Sequence, residues 1–106
     1  MAFVEAAKLD DWPAGSALEF RHAGRSYLLF RLGGGVACTD ALCPHQGGSL
    51  AAGPFDGSRV TCSRKGCLRW SFDVRTGQGP TGGSTRLATY PARVEGGAVL
   101  VDLPDD

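Results

Sequence analysis

Histidine is scarce in this chain: there are two among 106 residues. With so few, little general-base chemistry is on offer, and no serine, histidine and acid combination points to a hydrolase. Charge of one sign is lacking too. Eleven basic and eleven acidic residues cancel, so no field favours nucleic acid or an anionic membrane. No apolar run approaches a membrane span. The N-terminus, "MAFVEAAKLDDWPAG", has no basic segment followed by an apolar one and reads as no secretory signal. A helical period of useful length is missing, unless "EAAKLDD" forms a single turn. Neither repeats nor linkers interrupt the chain, which has the length of one domain over residues 1–106. The glycines of "GGG" at 33–35 and "GQGPTGG" near 80 precede no helix, so nucleotide binding is unsupported.

What is present is glycine and proline, sixteen and six residues, which imply many turns and short elements. "FVEAAKL" reads as a first strand and "DDWPAGS" as a turn. "ALEFRH", "RSYLLFRL" and "VACTDA" read as a meander joined by "AG" and "GGG". Residues 43–58 are loop-like; "RVTC" and "LRWSFDV" are short strands, and "RTGQGPTGGST" is an open loop. "LATYPARVEGGAVLVDL" gives two strands about "EGG", with Tyr90, Val94, Val99 and Val101 as core candidates. The expected architecture is a small all-β domain of short antiparallel strands, a sandwich or open barrel. Its core is thin for its length, and a bound metal would help to stabilise it.

Four cysteines in a chain assigned to a reducing cytoplasm read as metal ligands or buried thiols before disulfides. Three of them fall in "CPHQGGSLAAGPFDGSRVTCSRKGC", residues 43–67. Cys43 and His45 sit one residue apart and converge only from a turn, which Pro44 and Gly47–Gly48 supply. Sixteen residues separate His45 from Cys62, which opens a second turn, "CSRKG", closed by Gly66. Two loops, about 43–48 and 62–67, can then clamp a binuclear cluster between them. In a Rieske [2Fe-2S] centre one iron takes two cysteines and the other two histidines.

On these residues the chain resembles the Rieske-type ferredoxins of bacterial ring-hydroxylating oxygenase systems, from about Phe3 to Leu103. "GGGVACTDALCPHQGGSLAAG", "VTCSRKG", "FDVRTGQ" and "YPARVEGGAVLVD" carry the likeness. The resemblance implies a Rieske-like fold with a two-loop tip and one [2Fe-2S] cluster per chain. Cys43 and Cys62 would hold the inner iron and His45 the outer one, its other ring nitrogen able to take a proton on reduction. A loop bearing Pro80 would cover the cluster. The implied role is a monomeric electron carrier, not an enzyme, passing electrons from a flavin-dependent reductase to a terminal oxygenase.

Two departures stand out. Position 65, where the family has its second histidine, is Lys65, and "KGCLRWSFD" is about three residues longer than the usual run to "FD". An ammonium has no lone pair, and the lysine reference pKa is about 10.4, which makes Lys65 a poor ligand. Cys67 is better matched: thiolate is the ordinary ligand of iron–sulfur clusters, and the longer loop could bring it to the outer iron. Lys65 nearby would favour the ligating thiolate. His22 lies too far along the meander to be a natural substitute. Other readings use the same residues. With Lys65 and Cys67 as bystanders, the chain would be a cluster-free structural or docking subunit. Cys43, His45, Cys62 and Cys67 also make a Cys₃His zinc set, though not at the spacing of common zinc modules. A Cys62–Cys67 or Cys43–Cys67 disulfide would need an oxidising compartment. Cys38 reads as a small buried hydrophobe. Trp12 and Trp70 read as packing, and Asp40, Arg64 and Arg69 as surface charges more than a docking rim.

Overall fold

The structure, a computed structural model, describes residues 2–13, 15–32, 35–43, 49–51, 53–62, 71–79 and 86–103. The chain runs through β1 (Ala2–Lys8), a 3-10 turn (Leu9–Asp11), β2 (Ala17–His22), β3 (Arg25–Leu32) and β4 (Gly35–Asp40). It continues through β5 (Arg59–Thr61), β6 (Ser71–Asp73), β7 (Thr89–Tyr90), β8 (Ala92–Glu95) and β9 (Ala98–Leu103). The single turn foreseen in "EAAKLDD" is the 3-10 turn, where the Lys8 backbone N–H donates to Asp11 Oδ2 at 2.9 Å.

All pairings among these strands are antiparallel, in open sheets of order β1-β9-β8, β2-β3-β4-β7 and β5-β6. The sandwich reading holds, and the sheets do not close into a barrel. Hairpin chemistry sets the register. The "AG" turn has Ala23 at φ 52° and Gly24 at φ 81°, and "GG" has Gly96 at 58° and Gly97 at 83°. Two successive residues of positive φ make the tight hairpin turn whose twist matches the flanking strands. β2 and β3 then pair without a slip from His22↔Arg25 to Ala17↔Phe30.

The four-stranded sheet is the middle layer, which explains the unbroken apolar run in β3. Leu28, Phe30 and Leu32 point to one buried cluster, with Val60, Cys62 and Phe72 from the β5–β6 hairpin. Tyr27 and Leu29 point to a second, with Trp12 and the β9 residues Val99, Val101 and Leu103. A strand covered on both faces has no reason to alternate apolar with polar. The last three residues are fully buried, each worth about 1.5–3 kcal/mol relative to exposure. Trp12 is buried as expected, its indole N–H donating to the Ser16 carbonyl at 3.0 Å. Val94 corrects the sequence reading. Ala92 on the edge strand β8 packs on the core, but Val94, two residues nearer the turn, is 39% exposed.

Candidate metal centre

Strand periodicity aims the cysteines. In β4 and just beyond it, Ala37, Ala41 and Cys43 share one parity and all join the first cluster. Val36 and Cys38 share the other and pack on the second. Cys38 is therefore on the opposite face from Cys43, as its reading as a buried hydrophobe requires. Burial first, and the Asp40 carboxylate second, push its thiol up to about 12. In β5 the same rule puts Val60 and Cys62 in the core and leaves Arg59 and Thr61 partly exposed.

Cys43 and Cys62, unlike Cys38, each lie just past the end of a strand, β4 and β5. An antiparallel bridge between Leu42 and Ser49 draws the chain together around the first loop, and the Leu50 N–H donates to the Ala41 carbonyl at 2.9 Å. The pairing Thr61↔Ser71 draws it together around the second, beside a Phe55↔Val60 bridge. Cys43 and Cys62 meet in one apolar cluster with Leu50, Val60, Phe72, Val74 and Leu87. That donor chemistry, two thiols held by separate segments in one dry layer, fits the two-thiolate half of a [2Fe-2S] site.

His45, Lys65 and Cys67 lie outside the described residues, as do Trp70, Pro80, Arg64 and Arg69. Among the described residues no group of three or more histidine, cysteine or acidic side chains is placed to hold a metal. His22 shares the β2 face of Leu18 and Phe20, which pack on the cluster opposite Cys43 and Cys62. The middle sheet thus separates its strand face from both cysteines. Asp40 is engaged within the fold: it accepts the Tyr90 hydroxyl at 2.7 Å, and Arg25 Nη2 lies 3.7 Å away. Burial and that bond to a carboxylate both raise the Tyr90 pKa.

Arg59 was not singled out by the sequence. Its guanidinium bonds Ser71, Gln78 and Gly79 across the second loop's base. The one sequence signal is its position, three residues before Cys62 on the outer face of a strand. Which carbonyls it meets depends on how residues 71–79 return. The Gly77 backbone, at φ 78°, packs directly on the Leu87 carbonyl, a close approach invisible in "RTGQ".

Antiparallel sheets in this order, with two loop-edge cysteines in one apolar layer, define a Rieske-type cluster domain. The family model for the Rieske [2Fe-2S] domain matches residues 2–91, and the chain belongs to that family. It is 36% identical to the biphenyl dioxygenase ferredoxin subunit of Pseudomonas sp. (strain KKS102), over 97% of this chain and 94% of that one. It is 31% identical to the ferredoxin component of the alkene monooxygenase system of Xanthobacter autotrophicus, over 93% and 80%. The solved ferredoxin of carbazole 1,9a-dioxygenase from Nocardioides aromaticivorans IC177 has a TM-score of 0.83 at 28% identity, covering 95% and 97%. The chain is accordingly an electron-carrying ferredoxin component rather than a catalytic subunit, and the family's group is a [2Fe-2S] cluster. No helix among the described residues is long and apolar enough to cross a membrane.

Proposed function

We propose that residues 1–106 act as one cytoplasmic domain that takes single electrons from a flavin-dependent reductase and delivers them to a terminal oxygenase. Its cluster would have an altered ligand set: Cys43 and Cys62 on the inner iron, His45 and Cys67 on the outer. A [2Fe-2S] cluster supplies one-electron redox chemistry when bound. The chain supplies the rest. Cys43 and Cys62 offer thiolates from the buried layer that they share with Leu50, Val60 and Phe72. His45 offers one ring nitrogen as ligand and keeps the other to hold a proton. Lys65 stands where a second imidazole would, and Cys67 takes over its role. The observation that carries this reading is the meeting of Cys43 and Cys62, from two separate loops, in one buried cluster.

Anaerobic reconstitution with iron and sulfide tests it. About two irons and two sulfides per chain, with a red-brown colour, are expected for a binuclear centre. One zinc and no sulfide would replace this reading with a Cys₃His site at Cys43, His45, Cys62 and Cys67. A colourless protein that takes up neither would be a cluster-free structural or regulatory subunit of an oxidoreductase.

A further inference from the structure

The Arg59 guanidinium is a junction of three chain segments. Its Nε–H donates to Ser71 Oγ at 3.0 Å. Nη2 donates to the carbonyls of Ser71 at 2.7 Å, Gln78 at 3.3 Å and Gly79 at 3.2 Å. Two hydrogens serve three carbonyls, so at least one bond is shared between acceptors. The backbone under it is fixed as well: the Arg59 N–H donates to Asp56 Oδ1 at 2.8 Å, and the Asp56 N–H returns to the Arg59 carbonyl at 3.1 Å. Arg59 thus ties the strand that runs into Cys62 to Ser71, where the chain comes back, and to the segment Gln78–Gly79, where Gln78 is bridged to Arg86.

That segment is braced from its other side by main-chain bonds and by Thr76, whose Oγ1 accepts the Gln78 N–H at 3.2 Å. The Asp73 N–H donates to the Gln78 carbonyl at 3.0 Å, and the Leu87 N–H to the Gly77 carbonyl at 2.8 Å. A planar guanidinium with donors splayed in a fork holds acceptors on diverging segments at set spacing. A lysine ammonium, a point charge on a flexible stem, does not.

We propose that Arg59 is a positioning residue: its fork sets the spacing between the strand that runs into Cys62 and the bridged segment Gln78–Gly79, and with it the rate at which the cluster is lost. The second half rests on the cluster reading above; the first does not. The test compares Arg59→Met and Arg59→Lys with Arg31→Met. Arg31 is a matched control, donating from Nη1 to the Leu9 and Trp12 carbonyls at 3.0 and 2.9 Å, on the β3 face of Tyr27 and Leu29, opposite the cluster that holds Cys62. Ser71→Ala, which removes the Nε acceptor alone, serves if the arginine variants do not fold.

Two readouts are taken: amide hydrogen exchange of residues 71–79, which needs no cluster, and the first-order loss of visible absorbance. Both Arg59 variants should speed exchange at residues 77–79 by about tenfold or more, as expected for losing charge-assisted bonds. Cluster loss should quicken in step. Ser71→Ala should move both readouts in the same direction by less. Arg31→Met should raise exchange near residues 9–16 and leave residues 77–79 and cluster loss within about twofold. Unchanged exchange in the Arg59 variants overturns the clasp, and so does a wild-type Arg59→Lys, which would mean that charge alone suffices. Faster exchange with unchanged cluster loss overturns the link to the cluster, as does equal acceleration by Arg31→Met. A protein that never holds a cluster refutes the reading above, while exchange at residues 77–79 still decides the clasp.

Discussion

Replacing Gly77 by alanine perturbs the turn beside the second cysteine loop at its tightest point. At φ 78° a Cβ costs about 1–2 kcal/mol by itself. Here the methyl would also overlap the Leu87 carbonyl oxygen, and would sit 3.2 Å from that carbonyl's carbon and 3.3 Å from Thr89 Cγ2. The obstacle is backbone, which cannot swing aside as a side-chain end can. The two segments must part, and the bonds from the Leu87 N–H to the Gly77 carbonyl (2.8 Å) and from the Gly77 N–H to the Asp73 carbonyl (2.7 Å) weaken. At about 0.5–1.5 kcal/mol each, they bring the expected loss to about 2–5 kcal/mol. That is a large share of a stability of about 5–15 kcal/mol. Gly24→Ala is the matched control, with φ 81° and nothing within 4 Å of the added carbon. Urea unfolding followed by tryptophan fluorescence gives both losses from midpoint and slope. Gly77→Ala should lose at least about 1 kcal/mol more than Gly24→Ala, the cost of the two bonds. Equal losses would refute the close approach of Gly77 to Leu87.

Other consequences are open to direct measurement. With Cys67 on the outer iron, a thiolate replaces a neutral imidazole and the reduced centre is more negative. Its potential should fall between the Rieske range of roughly −150 to +300 mV and the roughly −400 mV of plant-type clusters. Cys67→Ser should bleach the cluster and Lys65→Ala should spare it, and the reverse pattern would make Lys65 the ligand or its essential support. Lys65→His should raise the potential if position 65 can reach the outer iron, and an unchanged potential would show that it cannot. Cys38 bears on alkaline stability. Its folded pKa is raised from 9.0 to about 12, so its contribution is intact below pH 9 and lost as pH climbs toward 12. The slope is about 1.4 kcal/mol per pH unit for that proton. Cys38→Ala should flatten this limb of the stability curve relative to wild type, and parallel curves would count against the buried thiol.

Much of the fold was legible because local chemistry decides it. "AG" and "EGG" impose hairpins at residues 23–24 and 96–97, and β2 and β3 have the bounds that "ALEFRH" and "RSYLLFRL" suggested. Val94 was misread because alternation tells which face a residue takes, not whether another sheet extends far enough to cover it. Cys43 and Cys62, the two cysteines that the family likeness assigns to the inner iron, are both buried in one cluster.

The sequence by itself determined the turns, the strand periods and the candidate donors, since these depend on neighbours along the chain. Parity within β4 already commits Cys38 and Cys43 to opposite faces. Only the tertiary structure decided that both faces of the middle sheet are covered, so that Cys38 is buried as deeply as Cys43. It alone brought Arg59 against Ser71, Gln78 and Gly79, twelve to twenty residues away. Gly77 met Leu87 by the same route. Those contacts join segments that only the return path of the chain brings together, and no local preference encodes that path.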